Sequence, residues 1–276
     1  MTTLHKTSRN PTRLAWCTDL HLDIATDQSR NRFLNELSIA AYDAALVTGD
    51  IATAASICDH LETLASACHP RPLFFVLGNH DFYGERLAYT YSQVTRLCRK
   101  VSNLHQLQDM PLIRLGPNVA LTGHHGWADA RSGWGRKTVI ESPDHSQIVD
   151  FHELTRAGRY DLMAQLARQF ANELRRRLVA GFSMCRHVVI ATHVPPFPST
   201  ALYDEKPCGA THLPHFCNVT VGSMLIGLAK RNRNKQISVL SGHTHSKTEQ
   251  MILNNLDARV GGVRSGKPEI QEIILV

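Results

Sequence analysis

The chain has 276 residues, 43% hydrophobic and 20% charged, an ordinary globular balance whose length suits one α/β domain over residues 1–276 burying about 75% of its unfolded surface. No apolar stretch approaches the roughly 18 residues that cross a bilayer, and MTTLHKTSRNPTRLAW lacks the apolar segment of about 7–15 residues that a secretory signal needs. The expectation is a cytoplasmic protein with no membrane contact. A net charge of +6 is a small excess. Its densest patches, Arg175-Arg176-Arg177 and the run from Lys230 to Lys235, read as a solvated helix face and a helix end offsetting the macrodipole. Nucleic acid is therefore a possible partner but not the favoured one. Seven scattered cysteines, an odd number, read as reduced buried thiols.

In chain order, apolar strand-like runs alternate with helical patterns, as in a layered α/β protein. A strand at 12–17 leads to Asp19-x-His21 and a helix over 28–41 with Phe33, Leu37 and Ala40 on one face. A strand at 44–48 leads to Gly49-Asp50 and a helix through Ile57, Leu61 and Leu64. A strand at 73–77 leads to Gly78-Asn79-His80-Asp81 and a helix over 85–101. Asp19 to Asp50 is 31 residues and Asp50 to Asn79 is 29, about one βαβ repeat. Ligands in open α/β sheets gather at the carboxyl ends of the strands, where these motifs fall.

Residues 104–122, broken by Pro111 and Gly116-Pro117, read as a meander of short strands. Two long irregular segments follow, 124–152 and 194–219, separated by a helix over roughly 153–180. Loops of this length in a compact domain are usually binding loops or lids. In the first, His124, His125, Trp127 and Arg131 are candidates to face the site, with Arg131 and Trp127 contacting substrate. In the second, Cys208, His212, His215 and Cys217 read as a substrate-side loop, with a small zinc site as the alternative. HVVIAT leads to His193 and ISVLS to Gly242-His243-Thr244-His245. The chain ends in TEQMILNN, ARVGG and EIQEIILV, read as antiparallel strands joined at Asn255, Gly261-Gly262 and Ser265-Gly266.

Asp19, His21, Asp50, Asn79, His193, His243 and His245 are seven ligand-capable residues after five apolar strands, a set with no joint structural explanation because unpaired buried polar groups cost several kcal/mol each. Two divalent ions about 3.5–4 Å apart, sharing a carboxylate, lower the pKa of water and make hydroxide available as a nucleophile for phosphoryl displacement. Imidazole, carboxylate and amide ligands suit iron, manganese or zinc, and calcium less.

These five motifs, in this order over residues 12–275, resemble the calcineurin-like metallophosphoesterases. The resemblance implies an α/β fold of four layers, an α-β-β-α sandwich with two mixed central sheets flanked by helices and a dinuclear site between the sheets. It implies that Asp19, His21, Asp50 and His245 hold one metal, that Asp50, Asn79, His193 and His243 hold the other, and that Asp50 bridges them. His80 would stand outside both shells, oriented by Asp81, near the scissile phosphate, with Asn79 and His80 contacting the substrate. Where many relatives carry an acid three positions after the bridging Asp, this chain has Thr53. The function implied is metal-dependent hydrolysis of a phosphomonoester or phosphodiester, nucleotide-like ones included, with a nuclease as the alternative.

Overall fold

The structure, a computed structural model, describes residues 11–264 and 266–276. The first ten residues, on which the signal-peptide reading mostly rests, and Ser265, half of one expected turn, lie outside the described residues. The N-terminal part alternates β1 (Arg13–Cys17), α1 (Asp27–Ile39), β2 (Ala44–Thr48), α2 (Ile57–Cys68), β3 (Leu73–Val76), α3 (Leu87–Lys100) and β4 (Leu104–Gln106). There follow β5 (Ile113–Arg114), β6 (Val119–Gly123), the single turns α4 (Asp144–Gln147) and α5 (Val149–His152), the long α6 (Arg156–Met184) and β7 (His187–Ala191). A small hairpin, β8 (Leu202–Tyr203) and β9 (Lys206–Pro207), precedes α7 (Leu213–Phe216), α8 (Val219–Arg231), β10 (Gln236–Ser241), β11 (Thr248–Leu253), β12 (Leu256–Val260) and β13 (Glu272–Leu275).

These elements build two mixed sheets, one ordered β13-β1-β2-β3-β4 and the other β11-β12-β10-β7-β6-β5. Every residue of β2 and β3 is buried, as strands covered on both faces must be. Their alternating side chains feed two different layers. Leu14, Trp16, Leu46, Phe74 and Val76 meet Leu121, Val189, Ala191 and Leu240 between the sheets. Ala15, Cys17, Val47 and Phe75 point the other way, onto Phe33, Leu37, Leu61, Leu64 and Val94 of α1 to α3. Val188, Ile190, Ile237 and Val239 of the second sheet pack on Leu174, Leu178, Leu225 and Leu228 of α6 and α8. Each such fully buried side chain contributes about 1.5–3 kcal/mol, so the four layers hold the two sheets' strand ends in fixed register.

Three expectations are corrected. The last strand does not pair with ARVGG: β13 crosses to the first sheet and lies antiparallel to β1, with Arg13 opposite Leu275 and Trp16 opposite Glu272. The 104–122 region is not one meander, because β4 joins β3 in the first sheet while β5 and β6 form a hairpin in the second. Arg177 is not on a solvated face. Its guanidinium donates to the carbonyls of Leu107, Gln108 and Gly123, fastening α6 to the loops beside β4 and β6. The long helix starts at Arg156 rather than 153 because Thr155 caps it, its side chain accepting the Gly158 N–H at 3.3 Å.

Candidate metal centre

Loops leaving the carboxyl ends of β1, β2, β3, β7 and β10 interlock where the two sheets meet. Asp19 N–H donates to the Gly49 carbonyl and His21 N–H to that of Asp50, both at 3.0 Å, joining the first two loops. Gly242 N–H donates to the His193 carbonyl at 3.0 Å, joining the loops of the second sheet. Between the sheets, His243 N–H donates to Asp19 Oδ1 at 2.9 Å. This crowding explains the glycine at 78, where a Cβ would come 2.1 Å from Asp50 Oδ1. Asp19, His21, Asp50, His243 and His245 all have left-handed backbone, with φ between 42° and 72°. Such conformations cost about 1–3 kcal/mol and cluster where the surrounding structure fixes a functional side chain. Asp and His are among the few residues that enter this region with any frequency.

Two groups of donor atoms result. Ligand atoms of Asp19, His21, Asp50 and His245 all lie within 4.8 Å of one another. His245 Nε2 is 3.4 Å from Asp19 Oδ1, and His21 Nε2 is 3.9 Å from Asp50 Oδ2. In the second group, His193 Nε2 is 3.3 Å from Asp50 Oδ1 and 3.0 Å from Asn79 Oδ1, and His243 Nδ1 is 3.0 Å from the same Asn79 oxygen. The two oxygens of Asp50 thus face one group each.

The donor set fits cations. The Thr48 carbonyl, 2.8 Å from His193 Nδ1, and the His215 carbonyl, 2.9 Å from His243 Nε2, take one N–H from each ring. With both rings neutral, as metal ligation requires, the other nitrogens, Nε2 and Nδ1, turn lone pairs toward an amide oxygen that is itself an acceptor. Carbonyls that accept the outward N–H, and so fix the tautomer, are the usual support of metal-ligating histidines. Burial disfavours charge on His243 and, with the His193 charge beside it, lowers it to about 4, so its ring is neutral. Burial also disfavours a charged His193, but the adjoining Asp50 carboxylate wins and pushes it up to about 10, so without a metal a proton sits among these acceptors. Asp50 is held well below the ordinary carboxylate range despite its burial, by the charges of His193 and His80.

His80 stands beside both groups, at the cavity. Its Nε2 is 4.0 Å from Asp50 Oδ2, its side chain is 38% exposed, and its ring stacks on Tyr83 with centroids 4.3 Å apart. Asp81 does not orient it, which corrects the expectation. Asp81 Oδ1 accepts from the N–H groups of Ile51 (2.7 Å) and Ala52 (3.0 Å), and Oδ2 from that of Gly78 (2.7 Å). The reversal follows from the single turn of 3-10 helix over His80–Phe82, which points consecutive side chains apart. Thr53, at the position where many relatives carry an acid, donates its N–H to Asp23 Oδ2 at 2.9 Å, so Asp23 supplies a carboxylate from the neighbouring loop.

Residues 124–130, the front of segment 124–152, are buried core and not lid, and Arg131 after them is exposed. Trp127 is buried and stacks on Phe151 at 5.4 Å, and Arg131 reaches Thr220 Oγ1 at 3.3 Å. His124 and His125 pack on Phe170, with the Tyr91 hydroxyl against His125. None of these four lines the cavity over the donor groups. Cys208, His212, His215 and Cys217 form no metal-capable cluster among the described residues, and both cysteines are buried free thiols. Two of the four have other places: His212 stacks on Tyr203 at 5.2 Å, and His215 Nε2 meets the Ile140 carbonyl at 3.0 Å.

The cavity has a volume of about 720 Å³, with Asp50, Asn79, His80, His243 and His245 at its floor. Its walls carry Tyr83, Tyr203 and Phe216, and the charged side chains lining it besides histidine are carboxylates: Asp50, Glu141, Asp144, Asp204 and Glu205. Asp144 escaped the sequence reading. It follows Pro143 in a one-turn helix, a start signal but not a chemical one. A family model described as calcineurin-like phosphoesterase matches residues 12–247. The chain belongs to the calcineurin-like phosphoesterase family. Membership makes it a metal-dependent hydrolase of phosphoester bonds. No curated protein matches the chain. A dimetal phosphatase from Danio rerio shares its fold, at 14% identity and a TM-score of 0.57 over 92% of this chain and 88% of that one. So does the TT1561 protein of Thermus thermophilus, at 13% identity and a TM-score of 0.56 over 91% and 89%.

Proposed function

We propose that this family member is a two-metal phosphoesterase acting on a small phosphorylated substrate, a phosphomonoester or phosphodiester of nucleotide-like size. The observation that carries this reading is Asp50, whose Oδ2 faces His21 while its Oδ1 faces His193. In it, Asp19, His21, Asp50 and His245 hold one ion and Asp50, Asn79, His193 and His243 the other, with manganese, iron or zinc suited to the donors. When bound, the pair supplies charge neutralisation for the phosphoryl oxygens and an ionised water near neutral pH. The carbonyls of Thr48 and His215 keep the two imidazoles turned inward, and Asp81 ties the backbone just after Asp50 to that of Gly78 in the neighbouring loop. His80, reaching the cavity without joining either group, is placed to give a proton to the departing alkoxide. Tyr83, Tyr203 and Phe216 offer apolar faces to the organic part of the substrate.

The acidic wall of Glu141, Asp144, Asp204 and Glu205 disfavours a polyanion and so supports a small ester over nucleic acid. Among the described residues no helix is long and apolar enough to cross a membrane. Together with seven free thiols, this is compatible with a cytoplasmic site of action. The reading is tested by assaying phosphomonoesters, cyclic nucleotides, dinucleotides and single-stranded DNA with Mn²⁺, Zn²⁺ and Fe²⁺ separately. Metal-dependent turnover of a small ester is expected. Hydrolysis of DNA alone, falling steeply with salt, would install a nuclease instead.

A further inference from the structure

Resting on the ligand assignment above, we infer that Asp144 and the backbone carbonyl of His215 are positioning groups for the second ligand set alone, so that the cavity wall and the second metal are thermodynamically coupled while the first metal is held independently of that wall. The Asn79 amide donates through Nδ2 to Asp144 Oδ1 at 2.8 Å, and the Tyr83 hydroxyl donates to the same oxygen at 2.8 Å. This contact decides which end of the amide turns inward. With Nδ2 tied to Asp144, Oδ1 faces His193 and His243; with Asp144 gone, only the longer bond from Nδ2 to the Tyr83 hydroxyl, at 3.3 Å, opposes rotation of the amide, which would present an N–H₂ group that cannot ligate a cation.

His243 is held from the same wall, through His215. The two wall segments are fastened to each other: His215 Nε2 meets the Ile140 carbonyl at 3.0 Å, Ser132 Oγ donates to the Leu213 carbonyl at 2.9 Å, and Thr138 Oγ1 donates to the Thr211 carbonyl. Glu141, which accepts from His145 at 2.7 Å, braces the unit together with Arg156 and Arg159. The first group draws its support elsewhere. Asp19 accepts from Thr18 Oγ1 at 2.6 Å and from the backbone N–H of His243 at 2.9 Å, a strand-end loop contact that does not involve the wall-held ring of His243. Loss of a partner that orients a ligand costs about 10–100-fold in metal affinity. Because coupling of binding sites is reciprocal, whatever packs against this wall changes affinity for the second ion by the factor by which that ion changes its own.

The test is a Mn²⁺ titration of the metal-stripped protein by calorimetry, with paramagnetic resonance reporting one isolated ion or an exchange-coupled pair. Wild type is expected to show two binding steps. Asp144→Ala should leave the first step unchanged and weaken the second about 10–100-fold, so that the coupled signal needs correspondingly more metal. Asp144→Asn keeps an acceptor for Asn79 and should recover part of the loss. Should Asp144→Ala fail to fold, Tyr83→Phe, which removes a donor to Asp144 and the 3.3 Å acceptor of Asn79 Nδ2 while leaving every ligand atom in place, should show the same split more weakly. Equal weakening of both steps, or an unaltered second step, overturns the inference. Fewer than two steps in wild type overturns the two-metal reading beneath it.

Discussion

The carboxylate of Asp50 meets the imidazole of His193 at 3.3 Å, and the two residues come from different sheets, after β2 and after β7. Both are almost wholly buried. An ion pair this deep barely repays its desolvation, and replacing one by apolar residues often stabilises a fold. Its retention at the meeting point of two sheets is better explained by chemistry than by stability.

Asp50→Ala should therefore cost both metals and bring turnover below detection, a larger loss than Asn79→Ala, which leaves Asp19, His21, Asp50 and His245 in place. Elemental analysis beside rates decides it. Two metals per chain at wild-type activity in Asp50→Ala would remove Asp50 from the bridge.

His80→Ala should retain both metals and lose roughly 10²–10⁴-fold in kcat, the range for a general acid. A nitrophenyl ester, whose leaving group needs less protonation, should lose less. An equal loss on good and poor leaving groups would mean that His80 positions phosphate.

Asp81→Asn places an amide among three backbone N–H donors and leaves at least one of them unpaired. The cost is about 1–3 kcal/mol, which at this chain length lowers Tm by several degrees. Its signature differs from that of His80→Ala, which should hardly move Tm. A wild-type Tm in Asp81→Asn would contradict the clamp.

The two long segments divide by the same logic. Trp127→Ala should destabilise by about 3–5 kcal/mol as a core truncation without a selective effect on KM. Tyr203→Ala and Phe216→Ala, on the cavity wall, should raise KM on larger esters and spare a minimal aryl phosphate. The reverse pattern would return the substrate role to Trp127.

What the sequence made legible was what strands and their ends encode. Asp19, Asp50 and Asn79 follow parallel neighbours at one repeat length, so their convergence was readable before any coordinates. The destination of Asp81 was not, because a single helical turn decides whether neighbouring side chains converge or diverge. Trp127 read as a lid residue because its segment has no periodicity, yet its ring fills a gap beside Phe151 and Phe82. Asp144 lies 65 residues from Asn79, and only the folded wall brings them together. The partner of β13 was hidden for a similar reason: a short turn suggests a hairpin, but the exposed edge of β1 competed for the strand and won.

Metal stoichiometry measured against turnover tests the two-metal centre most directly. Protein stripped with a chelator, then titrated with Mn²⁺ and assayed on a nitrophenyl phosphate ester, should be inactive when stripped and regain full activity only as bound metal approaches two per chain. Full activity at one metal per chain, or turnover that survives removal of both, would contradict it.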